Sequence, residues 1–328
     1  MVAVSSPLPS RTLAARSILG LPAVMIAIVA AVTATDCVWA ALRHFDVDTL
    51  AYMRLAALSL LLCLASVFYD RVRNAPSIAA MLFGTAFLIA FSAGFSVLNY
   101  FLLTVAHTRV DAQLAALDRA IGVNWPTLVA ALVPHPIVNG VLRVAYESVL
   151  PEVALLVIGL SWRGQTKAIH EFCVALAIGA ALTVAFWTVF PSFGAFSVYD
   201  LPQAVSAHIN LSLNQHYAHA LVRLLANGPG RISPTELKGL IGFPSFHAAM
   251  ALLVVWYGRT LPSLCWPLVV WNALVLAATP IQGGHHVVDV LGGFGVVAIS
   301  IVITTRLSRY GVAEIRKSPD KPMTQLAA

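Results

Sequence analysis

Eight apolar runs constrain this chain before anything else does. They lie near residues 19–42, 51–69, 77–106, 136–161, 167–190, 244–259, 262–281 and 285–306, and each approaches the roughly 20 residues that a helix needs to cross a bilayer. The sixth is the shortest. None alternates apolar and polar residues as the strands of a membrane barrel do. The predicted fold is therefore all-α: a polytopic membrane helical bundle of about eight transmembrane helices. Composition agrees, because 10% of residues are charged and the mean hydropathy is +0.84, whereas a soluble domain carries about 25% charged residues.

The net charge of +6 does not imply a nucleic-acid partner. The basic residues gather in alternate connectors and at the ends, the pattern of the positive-inside rule. Arg11 and Arg16 precede the first run, and Arg71 and Arg73 follow the second. Arg163 and Lys167 flank the gap after the fourth, and Arg259 ends the sixth. Arg306, Arg309, Arg316, Lys317 and Lys321 close the chain. With eight spans, all of these and both termini face the cytoplasm of a multi-pass protein in the cell's inner (plasma) membrane. The first run is longer than the roughly 7–15 residues of a signal-peptide core and reads as a retained anchor.

Cys37, Cys63, Cys173 and Cys265 fall in or beside different spans with no Cys-x-x-Cys pair, so neither a disulfide framework nor a structural zinc site is expected. Residues 107–135 are amphipathic: Leu114, Leu117 and Ile121 share a helical face, with Asp118 and Arg119 turned away. Ending at Trp125, the segment suits either a helix in the outer interface or a buried connector. Arg54 lies near the end of the second span, where it can snorkel. Arg143 and Glu147 in the fourth span can neutralise each other, and Pro151 can kink it. The long outer segment 191–243 carries His216, His219 and Arg223 on one helical spacing. That face can meet an anion, and it lacks the third ligand a zinc ion needs.

Two motifs carry the chemistry. Gly242-Phe243-Pro244-Ser245-Phe246-His247 opens the sixth span, and Gly283-Gly284-His285-His286-Val287-Val288-Asp289 opens the eighth. On a helix, His285 and Asp289 share a face, so the carboxylate can fix the imidazole tautomer and leave its other nitrogen free to attack. His286, three residues before Asp289, is an equal rival on spacing. Ser245 and His247 sit in a first helical turn, where free N–H groups favour an anion. The predicted topology brings both motifs to the outer membrane face.

Pro-Ser-x-His followed by His-x-x-x-Asp resembles the type 2 phosphatidic acid phosphatase superfamily. The run Phe243-Pro244-Ser245-Phe246-His247-Ala248, with His285-His286 before Asp289 and Gly292-Gly293, is similar to its inositol phosphorylceramide synthase-like branch. The Asp118-Arg119 and Asn124-Trp125-Pro126 stretch is also similar to bacterial members. The resemblance implies a six-helix catalytic core over 76–306, two additional N-terminal helices over 19–75, and cytoplasmic tails at 1–18 and 307–328. It implies that His285 is the nucleophile, Asp289 its orienting partner, His247 the general acid and Ser245 a phosphate ligand, with no metal or cofactor. The superfamily's Arg-Pro motif is absent, and Ala278-Thr279 stands where a Ser-Arg is expected. Arg223, Arg231 or Lys238 is therefore expected to supply the cationic clamp.

The resulting expectation is a phosphoric ester hydrolase or phosphotransferase acting on a lipid phosphate at the extracytoplasmic face through a phosphohistidine. The bilayer and the lipid substrate are its expected partners. The alternative is a transporter or permease that uses Arg54, Arg143, Glu147 and the histidines as a relay; inverted repeats with broken helices would favour it, and none is visible.

Overall fold

The computed structural model describes residues 20–105 and 108–317. The expectations for the tail at 1–18, with Arg11 and Arg16, and for Lys321 lie outside the described residues. Within them the chain is helical, and its only β-type pairing is an isolated bridge between Val47 and Ile232.

Among the described residues six helices are long and apolar enough to cross a membrane: α1 (Gly20–Arg43), α2 (Thr49–Arg71), α3 (Pro76–Leu102), α8 (Thr166–Val189), α12 (Cys265–Gln282) and α13 (Val287–Lys317). Two further apolar helices, α7 (Val149–Trp162) and α11 (Phe246–Gly258), are shorter. Between the spans lie α4 (Asp111–Ala120), α5 (Trp125–Ala130), α6 (Pro136–Glu147), α9 (Gln203–Ser206) and α10 (Gln215–Asn227). The protein is thus a multi-pass membrane helical bundle. Its last helix continues through Arg306 to Lys317.

The helix ends follow local chemistry. Pro76 begins α3, where a missing N–H costs nothing. Asp48 caps α2 by accepting from the Ala51 N–H at 3.2 Å. The fourth expected span is two helices, α6 and α7, which meet at Ser148. Pro151 lacks the N–H that would bond to the Glu147 carbonyl, so the break falls where the proline ring crowds that residue.

α8 is the enclosed centre: 61% of its spanning window is buried, against 11% for α1 and α2. Ala175, Ala177 and Ala180 keep its faces small, which lets neighbouring helices approach closely in a lipid environment. α1 and α2 lie at the periphery and expose Ile26, Met53, Leu61 and Leu64. A fully apolar outer surface is stable only in lipid.

α4 combines the two expectations for the amphipathic segment. Leu117 and Ile121 are exposed, while Asp111, Leu114, Ala115 and Asp118 are buried. Trp125 is fully buried, and its indole N–H donates to the Pro280 carbonyl at 2.7 Å. In a helix that can meet lipid, the apolar stripe need not point inward, and here two carboxylates do.

Glu152, near the break in the fourth span, is also buried. It accepts from Ser148 Oγ at 2.6 Å and from Asn272 Nδ2 at 2.7 Å. Removing the amide leaves a buried carboxylate oxygen without its donor. Asn272→Ala should lower the thermal unfolding midpoint in detergent, by the equivalent of about 1–3 kcal/mol. Asn272→Asp, which cannot donate when ionised, should be no better. An unchanged midpoint in both would show that the bond carries nothing.

Candidate active site

The two motifs meet through backbone as well as side chains. Ser245 is the N-cap of α11, its Oγ accepting from the Ala248 N–H at 3.3 Å. Its own N–H donates to the Asp289 carbonyl at 2.9 Å. α13 crosses α11 at Gly293, where a Cβ would come within 2.9 Å of both the Ser245 carbonyl and the Ala248 Cβ. Only glycine permits that approach.

His285 is buried. Its Nδ1 lies 3.1 Å from Asp289 Oδ2 and 3.0 Å from the Gly242 carbonyl. Both partners are acceptors, so Nδ1 carries the proton and Nε2 keeps its lone pair. The pairing expected from the spacing is present, but a helix does not produce it. α13 begins at Val287, and residues 284–286 form a non-helical turn. Gly284 makes the turn with a φ of +60°, and the Phe196 ring lies 2.5 Å from where its side chain would project.

His286 points elsewhere. It is fully buried with Nδ1 3.5 Å from Asp118 Oδ2, and its backbone N–H donates to Asp289 Oδ2 at 2.9 Å. His247 is half-buried on α11, its ring stacked nearly parallel to that of Tyr146 with centroids 4.3 Å apart.

Two cavities share His247, His285 and the strip Gly239-Leu240-Ile241. One, of about 240 Å³, reaches toward the loops past Tyr146, Phe193, Leu213 and Tyr217. The other, of about 270 Å³, runs between α3, α8 and α11, past Phe95, Asn99, Val184 and Met250. Asn99 contributes a buried carbonyl oxygen with no partner. His286 and Ser245 line neither cavity.

The expected cations are not gathered around these cavities. Arg223 is exposed on α10, and Arg231 lies 3.5 Å from Asp48. Neither lines a cavity. Lys238 adjoins Gly239, and its ammonium lies 5.7 Å from the centre of the Tyr217 ring. His216 and His219 are exposed, as is Arg54, and Arg143 pairs with Glu147 at 2.8 Å. The residues expected to form a relay therefore do not converge with the site.

Two buried carboxylates to which the sequence reading gave no part in the site hold its surrounding loops. Asp111 accepts through Oδ1 from Ser192 Oγ at 2.8 Å and from the N–H groups of Phe193 and Gly194 at 2.8 and 3.0 Å. Its other oxygen pairs with Arg109 at 2.7 Å. Asp118 accepts from the first N–H groups of α13, those of Val287 and Val288, at 2.9 and 3.0 Å. Their seven-residue separation, two helical turns on one face, is the signal that could have found them. Burial disfavours the charge on Asp118, but His286 and the two N–H donors outweigh it and hold the carboxyl below its ordinary range.

Residues 112–303, more than half of the chain, match the family model described as the PAP2 superfamily. The match spans both motifs. No curated protein and no solved structure matches.

Because Asp118 is held below its ordinary value, its stabilising contribution is complete above about pH 4 and is lost as pH falls from there through the lowered value. The unfolding midpoint should fall over that acid window. Asp118→Asn should start lower at neutral pH, by the equivalent of about 1–3 kcal/mol, and fall less on acidification. Identical acid sensitivity in the two proteins would contradict the assignment.

Proposed function

Since the chain belongs to the PAP2, or type 2 phosphatidic acid phosphatase, superfamily, we propose that it is a lipid phosphatase or phosphotransferase working through a phosphohistidine on His285. The observation that carries this reading is the His285 ring. Two acceptors hold its Nδ1–H, and it lies in the wall of two cavities that His247 also lines. Asp289 and the Gly242 carbonyl fix the tautomer and the direction of the ring.

In the first step, His285 Nε2 attacks phosphorus and forms a P–N bond. The P–O bond to the lipid alcohol breaks, and His247 gives that oxygen its proton. In the second, an acceptor O–H loses its proton to His247 and attacks phosphorus, and the P–N bond breaks. Water as acceptor makes this hydrolysis; an alcohol makes it transfer. The stacked Tyr146 ring positions His247 between the two roles. The motif Phe243-Pro244-Ser245-Phe246-His247-Ala248 supports a position near the inositol phosphorylceramide synthase-like branch, and with it transfer. The core would span 76–306, with α1 and α2 as additions.

For the phosphate charge, Lys238 has the better geometry. Ser245 is occupied as a helix cap, and none of Arg223, Arg231 and Lys238 itself lines the cavities, but the Lys238 ammonium lies beside Tyr217, which lines the first. Lys238 flanks the strip that lines both cavities. The basic connectors support an active site on the extracytoplasmic side. Cysteines placed at Arg231 and Lys317 test this with an impermeant reagent in intact cells. Labelling at 231 alone is expected; equal labelling would sink the topology.

Purified protein incubated with a radiolabelled lipid phosphate and quenched in alkali should carry label on His285. His285→Ala should carry none. His247→Ala should turn over roughly 10²–10⁴-fold more slowly, and Asp289→Asn should be comparably impaired because it can hold the wrong tautomer. Lys238→Ala should lose about tenfold or more, as a charge-assisted bond implies, while Arg223→Ala and Arg231→Ala stay close to wild type. Label that survives in His285→Ala and vanishes in His286→Ala would overturn the assignment.

A further inference from the structure

A third cavity, larger than either at the histidines, lies at the membrane depth of the N-terminal helices. Its volume is about 620 Å³, within the ordinary range for a ligand pocket. Its walls are α1, α2 and the face of α3 that carries Ala93, Gly94 and Val97. They are mostly aliphatic and aromatic, with one ionisable carboxyl, Asp36. That residue is 9% exposed, and its Oδ1 is fully buried with no hydrogen-bond partner. No Lys or Arg lines the cavity to pair with it.

A carboxyl at this depth is costly unless something satisfies it. No hydrogen bond to Oδ1 is made within the described residues, although the Thr33 hydroxyl lines the same cavity, and two other polar neighbours are engaged elsewhere. Ser59 Oγ donates to the Leu55 carbonyl at 2.9 Å, and the Tyr52 hydroxyl lies 3.4 Å from Ser96 Oγ. A lone carboxylate is a poor site for a metal ion, since calcium takes about six to eight oxygens and magnesium demands an octahedron. The cavity walls ask for hydrocarbon, and Asp36 asks for one donor. α1 and α2 are largely unburied along their length, so the occupant can arrive sideways from lipid.

We propose that this cavity is a second binding site, which takes an apolar chain bearing a hydrogen-bond donor, a lipid amine or a lipid alcohol, with the donor seated on Asp36. Neither His247 nor His285 lines it, so the inference does not rest on the phosphohistidine reading. α3 separates it from the catalytic side: Gly94 and Val97 face this cavity, whereas Ser96 and Asn99 face the one shared with the histidines. Tyr52, in the wall of the third cavity, meets Ser96, in the wall of the second. An occupant on one side therefore bears on the helix that shapes the other.

The test is photolabelling of the full-length protein in phospholipid nanodiscs with three diazirine probes of equal chain length: a primary amine, a primary alcohol and a plain hydrocarbon. The amine or the alcohol should label the cavity-lining positions Ala90, Ala93, Gly94 and Val97 of α3 well above the level that the hydrocarbon gives there, since the hydrocarbon reaches the lipid-facing sides of α1 and α2 from the bilayer itself. Asp36→Leu, which removes the acceptor, should lower that labelling about tenfold or more. So should Ala56→Trp, which fills the cavity from an exposed position on α2 and leaves Asp36 in place. Asp36→Asn then separates the two sources: loss of amine labelling alone identifies an amine site, and retained alcohol labelling identifies an alcohol site. Equal labelling by the hydrocarbon, or labelling unchanged in both Asp36→Leu and Ala56→Trp, would overturn the proposal.

Discussion

The site depends on two carboxylates of one short helix. From α4, Asp118 holds the first N–H groups of α13, and Asp111 holds the N–H groups of the 193–194 loop. Each starts a chain of contacts that ends on the same atom. Through Asp118, the start of α13 is fixed, and with it Asp289, whose Oδ2 meets His285 Nδ1. Through Asp111, Ser192 is fixed; its carbonyl accepts from the Gly242 N–H at 2.7 Å, and the Gly242 carbonyl meets His285 Nδ1 in turn. One imidazole nitrogen is thus located from two directions by a ten-residue helix that touches neither motif's histidine at position 285.

Unlike Asp36, the buried aspartates Asp111, Asp118 and Asp289 are tolerable in such an apolar chain because each is placed where backbone donors are otherwise unsatisfied. The opening turn of a helix leaves its N–H groups without partners and concentrates positive partial charge. Asp118 and Asp289 both sit at the opening of α13 and use that charge. Asp111 does the same at a loop, where three donors converge on one oxygen, and adds the Arg109 guanidinium on the other. The helix end needs the carboxylates as much as they need it. Together they form a hydrogen-bonded polar cluster around the opening of α13.

The apolar runs were legible because bilayer thickness imposes a length that composition cannot disguise, and the helices begin within a few residues of them, the last continuing past its predicted end to Lys317. The fourth run concealed a break, although Pro151 announced it. The meeting of the two motifs was legible too, but for an incomplete reason. His285 reaches Asp289 across a glycine-made turn, not along a helix. That is why spacing could not separate it from His286. Both lie near Asp289, and only the turn at Gly284 sends one ring toward the cavities and the other toward Asp118. The sequence left α4 open between an interfacial helix and a buried connector, because an apolar stripe beside a membrane can face either lipid or protein. Beside lipid, Leu117 and Ile121 are at home on the outside, and the polar face carries the contacts. The positions of Arg223 and Arg231 lay in a long connector whose path no periodicity fixes.

The strip Gly239-Leu240-Ile241 has a consequence for the chemistry. It forms a common wall of the loop-side cavity and of the one between α3, α8 and α11, with His247 and His285 at their meeting point. In the proposed mechanism the P–N bond on His285 and the two proton transfers of His247 are the same for water as for an alcohol, so these residues cannot by themselves favour hydrolysis or transfer. Access can. The loop-side cavity abuts a connector that carries the exposed polar side chains of His216, His219 and Lys238, whereas the other is bounded by Phe91, Phe95, Val184 and Met250 at the depth of the spans. Water is favoured in the first environment and a lipid chain in the second. If the phosphoryl group is held on His285, the cavity that admits the second reactant decides the product. The choice between phosphatase and transferase then lies in the walls of these cavities, not in the histidines.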